Sequence, residues 1–295
     1  MGGRVARRSG TWLARAGVSI ALVGCGGGAT GSHRVDRFDA DQAWSLIRLQ
    51  VGFGQRPAGS PQLRRLATVL RQRMPNGHFE PVPGEPRLRN VVGSVSGALP
   101  ALVIGAHYDT LTAPRGFVGA NNGAAGSAIV VQLAREAQRM HRPAGAPALR
   151  FVLFDGEEPP GGTPEEDPNF VADSLRGSKA YVAAHPRQTR AMILLDYVAN
   201  KGLQLPREGS STPELWSRLR AGAARAGAGA FFPLGSQVTI FDDHTPFLQS
   251  GAPAIDLIDW RYPGHSISDR LTRLSPRSVD AVGETVLELI RELDH

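Results

Sequence analysis

Cysteine occurs once in the 295 residues, at Cys25. That excludes an intrachain disulfide, and any zinc centre must use histidine and carboxylate instead of thiolate. Long apolar runs are also missing: the stretch over residues 16–24 is too short to cross a bilayer. Aromatic residues make up 6% of the chain and do not interleave with arginine, so no nucleic-acid partner is expected. Lysine is nearly absent. The net charge of +6 is carried almost entirely by arginines dispersed along the chain. Such dispersal reads as a solvated basic surface, with attraction to anionic lipid headgroups as the lesser alternative. No internal repeat and no second domain are visible, and the length suits one large α/β domain after an amino-terminal leader.

The leader carries Arg4, Arg7, Arg8 and Arg15 ahead of the apolar run Ala16-Gly-Val-Ser-Ile-Ala-Leu-Val-Gly24, the pattern of a secretory segment. It ends in Leu22-Val-Gly-Cys25, which resembles a bacterial lipoprotein signal box. The resemblance implies cleavage before Cys25 and a lipid on its thiol. The expected organisation is a lipoprotein signal peptide over 1–25, a flexible tether over 26–40 and a catalytic domain over 41–295. The protein would then be exported and anchored to a membrane through Cys25 on the extracytoplasmic side. A plain signal peptide with an incidental cysteine is the alternative.

Beyond the leader, strands alternate with amphipathic helices. Ala43, Leu46 and Ile47 share a helical face within 41–50, and Ser60-Pro61 is a cap-and-proline start for a helix bearing Leu63, Leu66, Leu70 and Met74. A proline- and glycine-rich stretch over 75–86 reads as a break. Residues 90–95, 101–106, 149–154, 191–195 and 254–258 read as strands. Helical faces follow with Ile129, Val130, Leu133, Ala137 and Met140, then over 214–226, and finally with Val279, Val282, Val286, Leu289 and Ile290 behind Ser275-Pro276. The pattern predicts a three-layer α/β/α sandwich with a mostly parallel mixed central sheet.

Chemistry concentrates where four of these strands stop. The strand Leu149-Arg-Phe-Val-Leu-Phe154 runs into Asp155-Gly-Glu-Glu158, and the others lead to His107 and Asp109, to Asp196 and, after one loop, to His265. Ligands of open α/β sheets sit outside the carboxyl ends of the strands. Two histidines with several carboxylates form a borderline-hard N/O donor set that suits Zn²⁺ with an open position. In a pair such as Glu157 and Glu158, one carboxylate can hold a metal while the other moves protons. Taken singly, each has a plainer reading: a loop histidine is usually solvated, and Asp196 would serve as a helix cap.

From about residue 55 to 292 the chain resembles the zinc-dependent aminopeptidase and glutaminyl cyclase superfamily. The likeness is carried by Gly105-Ala-His-Tyr-Asp-Thr110, Gly119-Ala-Asn-Asn-Gly-Ala-Ala125, Phe154-Asp-Gly-Glu-Glu158, Leu194-Leu-Asp196 and His265. Gly59-Ser-Pro61, Asp173-Ser-Leu-Arg-Gly-Ser178 and Asp242-Asp-His-Thr-Pro-Phe-Leu248 are similar to the cyclase branch. The resemblance implies Glu158 and His265 as zinc ligands and Glu157 as general acid/base. It implies that Asp196 and Asp242 hold the reacting amide, and that His107, oriented by Asp109, serves a second metal in two-zinc members. Asp256 and Trp260 would contact substrate. One departure stands out: the third ligand position is Asn122, where the superfamily has Asp. Gly264 replaces an aromatic residue, and Asp256 replaces a histidine. A neutral amide holds and bridges cations less well than a carboxylate, so one zinc ion is favoured and two remain possible.

The expected activity is a glutaminyl-peptide cyclotransferase acting on peptide or protein N-termini. The alternatives are a zinc aminopeptidase and a surface lipoprotein that binds peptides without turnover because of Asn122.

Overall fold

Side-chain alternation along the strands sets the layering of the molecule. The computed structural model describes residues 37–163 and 166–295. The expected signal peptide, Cys25 and the tether up to residue 36 lie outside the described residues. In chain order the elements are α1 (Ala40–Gly52), α2 (Pro61–Arg71), β1 (His78–Val82), β2 (Glu85–Val95), β3 (Ala98–His107), α3 (Gly126–Arg139), β4 (Pro147–Phe154), α4 (Phe170–Asp173), α5 (Arg176–Ala184), β5 (Thr189–Leu195), α6 (Pro213–Arg225), α7 (Thr245–Gln249), β6 (Ala254–Leu257) and α8 (Pro276–Leu293).

The six strands form one sheet in the order β1-β2-β4-β3-β5-β6. β3, β4, β5 and β6 run parallel, while β2 pairs antiparallel with β4 and β1 antiparallel with β2. Leu102, Ile104 and Ala106 on β3, with Ile193 and Leu195 on β5, face a large core shared with α1, α2, α3, α6 and α8. The alternate residues Val103, Val152, Met192 and Leu194 face a smaller core under α5 and α7, packed with Phe154, Tyr181 and Phe247. This is the expected sandwich with a mixed, mostly parallel sheet.

Three expectations change. The stretch read as a break contains β1, an edge strand in which Pro81 is tolerated because one side of the ladder is free. Ser275 sits at the α8 N-cap position but its side chain makes no capping bond. The folded body also begins before residue 41: Phe38 is buried on Gly283 of α8, and the backbone N–H groups of Arg37 and Phe38 donate to Glu284 at 2.7 and 2.8 Å. Within the expected tether Phe38 is thus part of the core, because its ring fills the notch a glycine leaves, while Asp39 beside it stays exposed.

Candidate active site

The carboxyl ends of β3, β4, β5 and β6 open on a cleft of about 460 Å³. Glu157, Glu158, Asp196, Asp242, Asn122, Trp260 and His265 all line it. Glu157 and Glu158 follow β4 directly, and their backbone N–H groups point at Asp109, donating to its two carboxylate oxygens at 3.4 and 3.2 Å. Asp109 therefore aims the acidic pair. It also lies 3.4 Å from His107 Nδ1. Gly123 lets this layer close: it has φ +90°, and a Cβ there would come 2.3 Å from the Asp109 carbonyl oxygen.

Asn122 sits in a non-helical turn (φ −79°, ψ 100°) between Ala120 and Ala125 and donates through Nδ2 to Glu158 Oε1 at 2.7 Å. His265 Nε2 lies 3.8 Å from that same oxygen. On the other side of the cleft floor, His107 Nε2 is 3.5 Å from Asp196 Oδ1 and 3.7 Å separates His107 Nδ1 from Glu157 Oε2. The structure thus brings Asn122, Glu158 and His265 together as one group and His107, Asp196 and Glu157 as its neighbour.

Crowded carboxylates in a water-poor cleft resist ionisation. Burial, then the charge of Glu158, pushes the Glu157 carboxyl well above its ordinary range, with His107 opposing. Burial also raises Glu158, against the pull of His265 and His107. Asp242 is pushed up to about 6 by burial and by Asp196. Burial works against charge on His107, yet Glu157, Asp109 and Asp196 outweigh it and hold its pKa well above the usual imidazole range.

Among the described residues no three His, Cys, Asp or Glu side chains already converge as a metal-ligand group. The donor chemistry nonetheless fits a zinc ion. Glu158 and His265 offer one oxygen and one nitrogen, and Asn122 can supply its amide oxygen once the amide is turned away from Glu158. Among the described residues, His107 Nε2, buried beside Asp196, has no hydrogen-bond partner. A cation would balance the excess of buried negative charge.

Trp260, 41% exposed, stacks over Tyr197 at the cleft mouth (centroids 6.4 Å, planes 14° apart). Asp256 is a correction. Alternation along β6 turns it to the α7 side with Ala254, where it is fully buried, 3.9 Å from His244 Nδ1, and outside the cleft lining. A side chain so placed cannot touch substrate.

Three residues escaped sequence reasoning. Asp269 accepts the backbone N–H groups of Asn121 (2.9 Å) and Asn122 (3.0 Å) and the Tyr262 hydroxyl (2.6 Å), so it holds the Asn122 turn in place. Its position four residues after His265 was the available signal. Tyr197, at φ +45°, packs edge-on to His265 and fills the space beside Gly264, where a Cβ would fall 2.2 Å from its ring. Glu208 gathers Ser210, Ser211, the Ile240 N–H and His244 and so ties down the strip that forms the far wall of the cleft. Nothing local in the sequence marks it.

Comparison with known proteins agrees with this geometry. The chain is 27% identical to glutaminyl-peptide cyclotransferase of Bos taurus over 229 residues, 66% of this chain; the match spans 63% of that protein's length. Among solved structures, the Acidobacteriales bacterium glutaminyl cyclase superposes with a TM-score of 0.73 at 25% identity, covering 88% of this chain and 95% of that one. The Porphyromonas gingivalis glutaminyl cyclase gives 0.73 at 26% identity, covering 87% and 99%. The model of peptidase family M28 matches residues 90–290. With the paired glutamates, Asp196 and His265 all inside that span and gathered in one cleft, the chain belongs to peptidase family M28.

Proposed function

We propose that the protein is a zinc-dependent glutaminyl-peptide cyclotransferase that converts N-terminal glutamine to pyroglutamate with release of ammonia. The observation that carries this reading is Asn122 against Glu158 at 2.7 Å, a neutral amide where two cations would need a bridging carboxylate. One ion, held by Glu158, His265 and the Asn122 amide oxygen, is what this group of side chains supports. Bound there, zinc supplies Lewis-acid polarisation of the substrate's γ-carboxamide.

The reaction is intramolecular and asks for no activated water. The substrate's α-amine attacks the carbonyl carbon of the γ-carboxamide, a C–N bond forms to close the five-membered ring, and the bond from that carbon to the carboxamide nitrogen breaks, so that this nitrogen leaves as ammonia. Glu157 lines the cleft beside Glu158, takes the proton that the attacking amine sheds and returns it to the leaving nitrogen. Its raised pKa suits both halves of that transfer. Asp196 and Asp242 accept hydrogen bonds from the reacting amide and keep it oriented. Trp260 and Tyr197 wall the mouth against the rest of the peptide. The test is ammonia release from a glutaminyl peptide by the zinc-loaded protein; free amino acid with no ammonia would sink the reading.

One observation favours a zinc aminopeptidase instead. His107 Nε2 lies 3.5 Å from Asp196 Oδ1, buried and, among the described residues, without a hydrogen bond, a second N/O pair of the kind a second ion would take. Zinc stoichiometry separates the two: about one ion per chain supports the cyclotransferase, about two the peptidase.

We also infer that the chain is exported and anchored by a lipid on Cys25. Cys25→Ala should leave activity intact and release the protein from the membrane fraction; continued membrane association would overturn the anchor.

A further inference from the structure

Arginines far apart in the sequence meet in a groove of about 660 Å³ outside the active cleft. α2 buries Leu63, Leu66, Ala67 and Leu70, which leaves Arg64 and Arg65 on its outer face. β2 buries Leu88 and Asn90, so Arg87 and Arg89 project from the same side of the strand. Asp155 ties β2 to the loop that leads into α2 by accepting the backbone N–H groups of Gly59 at 3.3 Å and Arg89 at 3.0 Å. The groove between them is lined by Arg64, Arg65, Arg87 and Arg89, with Ser60 and Thr68 between.

What sets the groove apart is that four arginines share it with no acid among its lining residues. Some arginines elsewhere meet acids, as in Arg142 with Asp294, Arg218 and Arg225 with Glu292, and Arg261 with Asp259. Among the described residues, Arg64, Arg65 and Arg87 form no ion pair, and no acidic residue lines the groove. Arg89 is held in place: its guanidinium lies over the Phe79 ring at 4.4 Å, and Nη2 reaches the Arg64 carbonyl at 3.5 Å. Like charges so gathered repel one another unless an anion sits among them. Guanidinium forks match oxyanions bidentately, and a tetrahedral group offers oxygens to several forks at once.

We propose that this groove binds a phosphate- or sulfate-type oxyanion. The group is carried either by a soluble phosphate compound or by an anionic lipid headgroup; the ligand chemistry is the same. Ala58 and Arg87 also line an adjoining pocket of about 250 Å³ that reaches Glu158, so a ligand here sits beside, and not in, the active cleft.

Calorimetric titration of the full chain with inorganic phosphate at low salt tests the soluble source. Flotation of the chain carrying Cys25→Ala, which has no acyl anchor of its own, with phosphatidylglycerol vesicles, against phosphatidylcholine vesicles, tests the lipid. In each arm the chain with its groove intact is compared with Arg65→Ser/Arg87→Ser and with Arg48→Ser/Arg190→Ser, which removes the same charge from exposed positions elsewhere. The groove variant should bind at least about tenfold more weakly than both others in one arm. That affinity should fall steeply between about 0.05 and 0.5 M salt. Dependence on Arg65 and Arg87 in the phosphate arm assigns a soluble ligand, and dependence confined to vesicles assigns a headgroup. Equal loss in the two variants, or no binding in either arm, overturns the proposal.

Discussion

Among the described residues no group hydrogen-bonds the Glu157 side chain, whose nearest charged neighbour is His107 Nδ1 at 3.7 Å, and it faces the open cleft, while Glu158 is engaged by Asn122. That asymmetry supports the proposed division of roles, proton transfer for the first glutamate and cation binding for the second. Glu157→Gln should reduce turnover by about 10²–10⁴-fold with an unchanged melting temperature, measured by ammonia release and thermal denaturation. Because burial and Glu158 hold the Glu157 pKa high, its base form is lost early on acidification. Asn122→Asp adds a carboxylate to the ligand group and should raise zinc affinity, read by competition with a chromophoric chelator. Asp269→Asn loses acceptors for the Asn121 and Asn122 N–H groups and should lower that affinity about 10–100-fold, a loss expected of a residue that orients a ligand.

At the scale of elements, loops are fitted to one another through size. Gly264 leads into His265, and the Tyr197 ring occupies the space where any larger residue would put its Cβ. Gly264→Ala should cost about 1–3 kcal/mol by overpacking, and Gly264→Ala with Tyr197→Ala should cost less than the sum of the two single changes. Urea denaturation of the four proteins in the cycle checks this. Phe38 plays the matching part at the amino end, where its buried ring joins the start of α1 to α8. Phe38→Ala should destabilise the fold by about 3–5 kcal/mol.

Across the whole molecule, the loop walls depend on buried charge. Burial alone would raise Glu208, yet bonds from His244, the Ser210 N–H and the Ile240 N–H outweigh it and hold its pKa at about 2, below the ordinary 4.5. A carboxylate depressed in this way stabilises the fold fully above pH 4.5, and the contribution is lost as pH falls towards 2. Urea midpoints should drop across that window, and the part of the drop due to this group should be missing in Glu208→Gln.

The layered sheet and the strand ends that carry chemistry can be read along the chain, because both follow from local patterns. Periodicity two or 3.6 identifies which faces are buried, and the acids and histidines stand next to the strands that position them. Glu157, Glu158, Asp196 and His265 were legible for that reason. Features that depend on approach between distant segments emerge only on folding. Folding buried Asp256 under α7, set Asp269 behind the Asn122 turn, and gathered Glu208 with His244. It also turned dispersed arginines at 64, 65, 87 and 89 into one basic groove, since α2 and β2 come side by side only when the chain is folded. Charge and hydrogen bonding act through space, and spacing along the chain does not encode them.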